Sequence, residues 1–134
     1  MKNIILILSL LTLGCSNDNT PKEESNNIPQ ELIGKWKIVE IFETDGGSNP
    51  EWRNENTIYG YNIWFKSNGV YIKNEGDTQG RYELENNNIK YILASTQNSQ
   101  TVHIENLTVN TLIIDFLNFE PYKHRYIKIS SENQ

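Results

Sequence analysis

Few side chains in this 134-residue chain are placed to do chemistry, and their spacing limits what that chemistry could be. Cys15 is the single cysteine, so it has no intramolecular disulfide partner and no second thiolate with which to share a metal. The other candidates are His103, Glu105 and His124. Two imidazoles and a carboxylate are a reasonable donor set for zinc. The apolar run Thr111–Leu117 lies between them, however, and an intervening strand holds His103 and His124 about 10 Å apart, two inter-strand spacings. No metal is expected. No Ser/His/Asp set stands in a supporting context, no close acidic pair sits in a glycosidase or nuclease setting, and no glycine-rich phosphate loop occurs. The residues therefore point to a protein that is not an enzyme and needs no cofactor.

Cys15 is explained by what precedes it. Lys2 gives a short positive start, Ile4–Leu13 is an apolar run interrupted only by Ser9 and Thr12, and Gly14 is the small residue before the cysteine. Ten such residues are too few to span a bilayer and match a secretory signal peptide over residues 1–14. Leu11-Thr12-Leu13-Gly14-Cys15 resembles the lipobox of bacterial lipoproteins, with Thr12 and Leu13 where the usual box has leucine and a small residue. The resemblance implies cleavage before Cys15 and lipidation of its thiol with acyl chains such as palmitate. At about 0.8 kcal/mol per buried methylene, two or three chains make a stable anchor without a transmembrane helix. Residues 15–30, rich in Asn, Ser, Glu and Pro, have a flexible linker composition, and about 14 residues of it reach on the order of 20 Å. The expected location is the bacterial cell envelope, at the outer membrane if the host is Gram-negative. A net charge of −5 without any Lys/Arg cluster disfavours nucleic acid and polybasic lipid docking.

The elements that must position any site begin at Gly34-Lys35-Trp36. Beyond Pro29 no helical apolar stripe of useful length appears. Short runs rich in Ile, Tyr, Phe and Trp alternate with Asn- and Gly-containing turns, as in a sandwich or barrel. Eight strands are expected: 35–43, 57–66, 70–73, 80–85, 89–94, 101–105, 111–117 and 122–129. A long polar loop, 44–56, separates the first two and carries Trp52. Ser67-Asn68-Gly69 makes a tight hairpin. The fold class is all-β, an eight-stranded antiparallel up-and-down barrel over residues 31–130, closed because closure removes exposed edges. Residues 131–134 are a tail.

Gly34-x-Trp36, the Phe65–Tyr71 hairpin with its Gly69-x-Tyr71, and Gly80-x-Tyr82-x-Leu84 together resemble the short lipocalin-like domains of bacterial envelope proteins. The likeness spans about Leu32 to Ile129. It implies a barrel with Trp36 closing one end, and a cation from the last strand, Arg125 or Lys128, packed over that indole. It also implies a site for a small hydrophobic or amphipathic molecule, with Phe65, Tyr71 and Tyr82 facing it and Trp52 on a lid-like loop. Trp36, Ile38 and Leu84 would face inward as well. An eight-stranded barrel can instead fill itself with its own side chains. In that case the domain would be an interaction module for an envelope protein or glycan partner. An enclosed pocket of roughly 300 Å³ or more at the 44–56 end would separate the two readings.

Overall fold

The computed structural model describes residues 27–47 and 49–132. The expected signal peptide, Cys15 and most of the expected linker lie outside the described residues. Within them the fold is all-β. The strands are β1 (Gly34–Glu43), β2 (Glu51–Asn54), β3 (Ile63–Phe65), β4 (Val70–Lys73), β5 (Thr78–Glu85), β6 (Asn88–Leu93), β7 (Ser99–Leu107), β8 (Thr111–Asp115) and β9 (Lys123–Ser130). All pairings are antiparallel, in the order β1-β3-β4-β5-β6-β7-β8-β9, and β9 returns to pair with β1. Eight strands thus close the barrel as expected.

β2 is the exception to the expected layout. It pairs with the outer half of β1, Glu40–Glu43, while β3 pairs with the inner half, Gly34–Trp36. The stretch read as a polar loop therefore contains a short strand, held by Trp52 opposite Phe42 with ring centroids 5.2 Å apart. The strand expected over 57–66 shrinks to Ile63–Phe65. Asn62 is the physical reason. Its side chain is buried, its Oδ1 accepts from the Ile38 amide at 2.9 Å, and its Nδ2 donates to Thr57 Oγ1 at 3.0 Å. A side chain thus takes the place of a ladder bond, and residues 57–62 stand outside the regular strand pairing.

One end of the barrel is sealed. Leu32 and Trp36 are fully buried there, and the indole Nε1 donates to the Leu32 carbonyl at 2.8 Å. Lys128, not Arg125, lies over Trp36, its Nζ 4.8 Å from the ring centroid. Lys128 also donates to the carbonyls of Glu31 and Ile33, pinning the entering chain. Gly34 has φ near +130° and packs against the Ser130 carbonyl, so no side chain fits there. Arg125 instead pairs with Glu40 and stands 4.2 Å over the Trp52 ring on the outer wall. Inside, Phe65 packs edge-on against Tyr82 (5.0 Å), and Tyr71 against Tyr91 (4.9 Å). Ile89, Val102, Leu112 and Ile114 complete the buried core, with Ile38 and Leu84 packed against it.

Candidate ligand cup at the barrel mouth

The turns after β1, β4, β6 and β8 all lie at the end opposite Trp36, so this end is the mouth. Strand periodicity decides what faces it. On β4, Tyr71 points inward, and Lys73 two residues on must point the same way. Its Nζ lies 4.3 Å from the centroid of Tyr91 and 5.7 Å from that of Tyr71. On β9, Tyr126 is buried and His124 shares its face, with Nδ1 3.1 Å from the Tyr126 hydroxyl. The inner wall near the mouth is therefore polar at two positions that an apolar core would not choose.

Above the packed rings a cup of about 380 Å³ opens between β4, β5, β6 and β7. Tyr71, Tyr91 and Leu93 give it an apolar floor and side, while Lys73, Thr78, Asn98, Ser99 and Gln100 supply polar groups nearer the rim. Tyr71 can lie flat because Gly80, its cross-strand neighbour, has no side chain. A Cβ there would meet the Ile92 carbonyl oxygen and approach the Tyr71 ring to 2.9 Å.

Burial sets the electrostatics. It lowers the Lys73 ammonium from its ordinary pKa. It also pulls His124 down to about 4, with the charge of Lys73 adding to the effect. The Nε2 of His124 is buried without a hydrogen-bond partner. Tyr91 is pushed well above its ordinary value by burial, to which the phenols of Tyr126, Tyr71 and Tyr82 add. At neutral pH the inner wall thus carries neutral phenols, a neutral imidazole and one ammonium.

Of the residues expected to face a ligand, only Tyr71 lines the cup. Phe65 and Tyr82 lie beneath it as fully buried core, with the Tyr82 hydroxyl donating to the Lys66 carbonyl at 2.7 Å. Trp52 is on the outer wall against Phe42 and Arg125, away from the cup. His103 faces outward, its Nδ1 2.9 Å from Asn88 Oδ1, while His124 faces in, so the strand wall divides them. No group of three potential metal ligands occurs among the described residues. Lys73 and His124 went unnoticed as inward groups. Their parity with Tyr71 and Tyr126 was the available signal.

The model of the lipocalin-like domain family matches residues 32–114. Among solved structures, a lipocalin-like protein from Bacteroides uniformis is similar at 16% identity and a TM-score of 0.51, covering 74% of this chain and 99% of that one. An uncharacterized protein from Bacteroides eggerthii is similar at 18% identity and a TM-score of 0.51, covering 72% and 98%. At such identities the two structures bear on the fold alone. Comparison with curated proteins finds no match.

Proposed function

The chain belongs to the lipocalin-like domain family, and from that premise we propose that it binds a small amphipathic molecule in the cup at the barrel mouth. Members of the family are generally binding proteins, and a barrel closed at one end by a tryptophan suits that work. The observation that carries the reading is the cup itself. About 380 Å³ bounded by Tyr71, Tyr91 and Leu93 below and by polar side chains above falls within the usual range of small-molecule sites, about 300 to 1,000 Å³. The lower barrel is solid, so the ligand is small or enters only in part. A chain anchored through Cys15 would be tethered at the Trp36 end, because the polypeptide enters the barrel there at Ile28–Ile33. The mouth would then face away from the membrane and remain open to solutes of the envelope.

A second reading has one observation in its favour. Phe119, Ile58 and Leu117, on the loops of the same end, are exposed, Phe119 completely. Such apolar tips suit contact with a protein or glycan partner.

Amide NMR of the folded domain, titrated with short-chain amphiphiles, separates the two. Binding in the cup shifts Tyr71, Thr78, Leu93 and Gln100 and leaves Trp52 and Phe119 unmoved. Absence of shifts at these four positions at millimolar amphiphile would refute the cup reading. For the anchor, mass spectrometry of the mature protein is expected to find acyl chains on Cys15, and an unmodified thiol on a mature chain would refute lipidation.

A further inference from the structure

The cup holds one formal charge and nothing to balance it. Lys73 is the only charged residue in its lining. Among the described residues no carboxylate pairs with its ammonium, whereas Lys35, Lys90 and Lys123 each meet an acidic side chain on the outer surface. The chain has 17 acidic residues against 12 lysines and arginines, so an unpaired inward ammonium is not explained by a shortage of acids. An ammonium withdrawn from water without a counter-charge is costly, and the faces of Tyr91 and Tyr71 offset only part of that cost.

His124, on the inner wall outside the cup's lining, supplies no counter-charge to Lys73. The Tyr126 phenol is the natural donor to Nδ1, which leaves the ring proton on Nε2, buried and without an acceptor. The other side chains set around this imidazole supply no acid. Tyr122, Tyr126 and Phe116 contact its ring, β1 presents Ile41 at its paired position, and Lys73 acts on it by its charge. Glu43 and Glu55 act on Tyr122 nearer the rim.

We propose that the cup selects an amphipathic anion, with the negative head group on the Lys73 ammonium and the apolar body against Tyr71, Tyr91 and Leu93. The inference rests on the cup being the ligand site. An anion is the ligand class that brings the ammonium both hydrogen-bond acceptors and a counter-charge. Asn98 and Gln100 add amide donors at the rim for the remaining oxygens.

The test uses three probes with the same chain: decanesulfonate, decanol and decyltrimethylammonium, each below its micellar concentration. Titration calorimetry gives the affinities and amide NMR gives the place of binding. The sulfonate is expected to bind at least about tenfold more tightly than the other two, the scale of a charge-assisted contact, with shifts at the cup. Lys73→Met keeps an unbranched apolar stem one atom shorter and removes the charge, and it should abolish that preference while thermal unfolding shows the variant folded. Should Lys73→Met fail to fold, Lys73→Arg, which keeps the charge, is expected to keep the preference, and its loss there overturns the proposal. Decanol binding in the cup as tightly as the sulfonate, or the cationic probe binding more tightly, overturns the anion assignment and leaves the cup standing. A sulfonate preference that survives Lys73→Met overturns the role of Lys73. Binding of none of the three overturns both readings together.

Discussion

Replacing His124 with phenylalanine should flatten the dependence of folding stability on pH between about pH 7 and 4.5. The imidazole titrates near 4 in the folded protein, against an ordinary value of 6.5, because burial and the Lys73 charge disfavour the imidazolium. The folded-state pKa is the depressed one, so in the interval between the two values the unfolded chain holds more protons. Acidification through that interval therefore favours unfolding. Linkage puts the loss from this one group at about 1.2 kcal/mol at pH 5.5 and about 2.4 kcal/mol at pH 4.5, relative to pH 7. Phenylalanine fits among Phe116, Tyr122 and Tyr126 and does not titrate. It leaves the Tyr126 hydroxyl without its partner on His124, a cost that does not vary across this pH range. Carboxylates titrate in both proteins and cancel in the difference. Urea denaturation followed by circular dichroism at pH 7, 5.5 and 4.5 gives the two stability curves. The stability of wild type minus that of the variant should fall by about 2.4 kcal/mol between pH 7 and pH 4.5. Parallel curves would show that His124 is solvated or satisfied in the folded state, and the account of the inner wall would fail with it.

Three further outcomes follow from the geometry. Lys73→Met should raise the pKa of His124 from about 4, because it removes the neighbouring positive charge that adds to the effect of burial; an unchanged NMR titration of that ring would mean the two groups do not interact. Gly80→Ala should destabilise the barrel by about 2 kcal/mol or more, the scale of core overpacking, since the new methyl meets the Ile92 carbonyl and the Tyr71 ring; a denaturation midpoint equal to wild type would contradict the packing. Trp52→Ala should cost about 1 to 2 kcal/mol, less than a fully buried tryptophan, through lost contact with Phe42 and Arg125, while amphiphile affinity stays unchanged. A large loss of affinity in that variant would place the site at the β1–β2 rim.

The barrel was legible because its signals are local and repeated. Alternation with Tyr, Ile and Trp, punctuated by Asn and Gly turns, marks the eight strands of the closed ring though not the added β2, and Gly34-x-Trp36 marks the closed end with backbone demands that the structure meets at Ser130 and Leu32. What escaped was decided by single side chains acting across the fold. Nothing around Asn62 announces that its amide will replace a ladder bond to Ile38, so the strand over 57–66 was drawn too long. The choice between Arg125 and Lys128 over Trp36 turns on which face of β9 points inward: Lys128 shares the face of buried Tyr126 and pairs with Trp36, and the irregular register between Ile38 and Glu40 puts Glu40 opposite Arg125 on the other face. A bulge of this kind leaves no mark in composition.

The residues expected to face a ligand and those that line the proposed cup differ for another reason. Aromatic residues were taken as the markers of a ligand face, yet in so short a barrel Phe65 and Tyr82 are what fills the interior. An aromatic facing inward is expected of both a full barrel and a hollow one, and so cannot tell them apart. A lysine facing inward is expected of neither unless something occupies the space beside it, because its burial is unfavourable in the empty protein. Val70-Tyr71-Ile72-Lys73 already contained that contrast, since the period of two that turns Tyr71 inward does the same for Lys73. The more discriminating question for a barrel of this size is therefore which inward positions near the mouth carry a basic side chain, and among the described residues Lys73 and His124 are two of them.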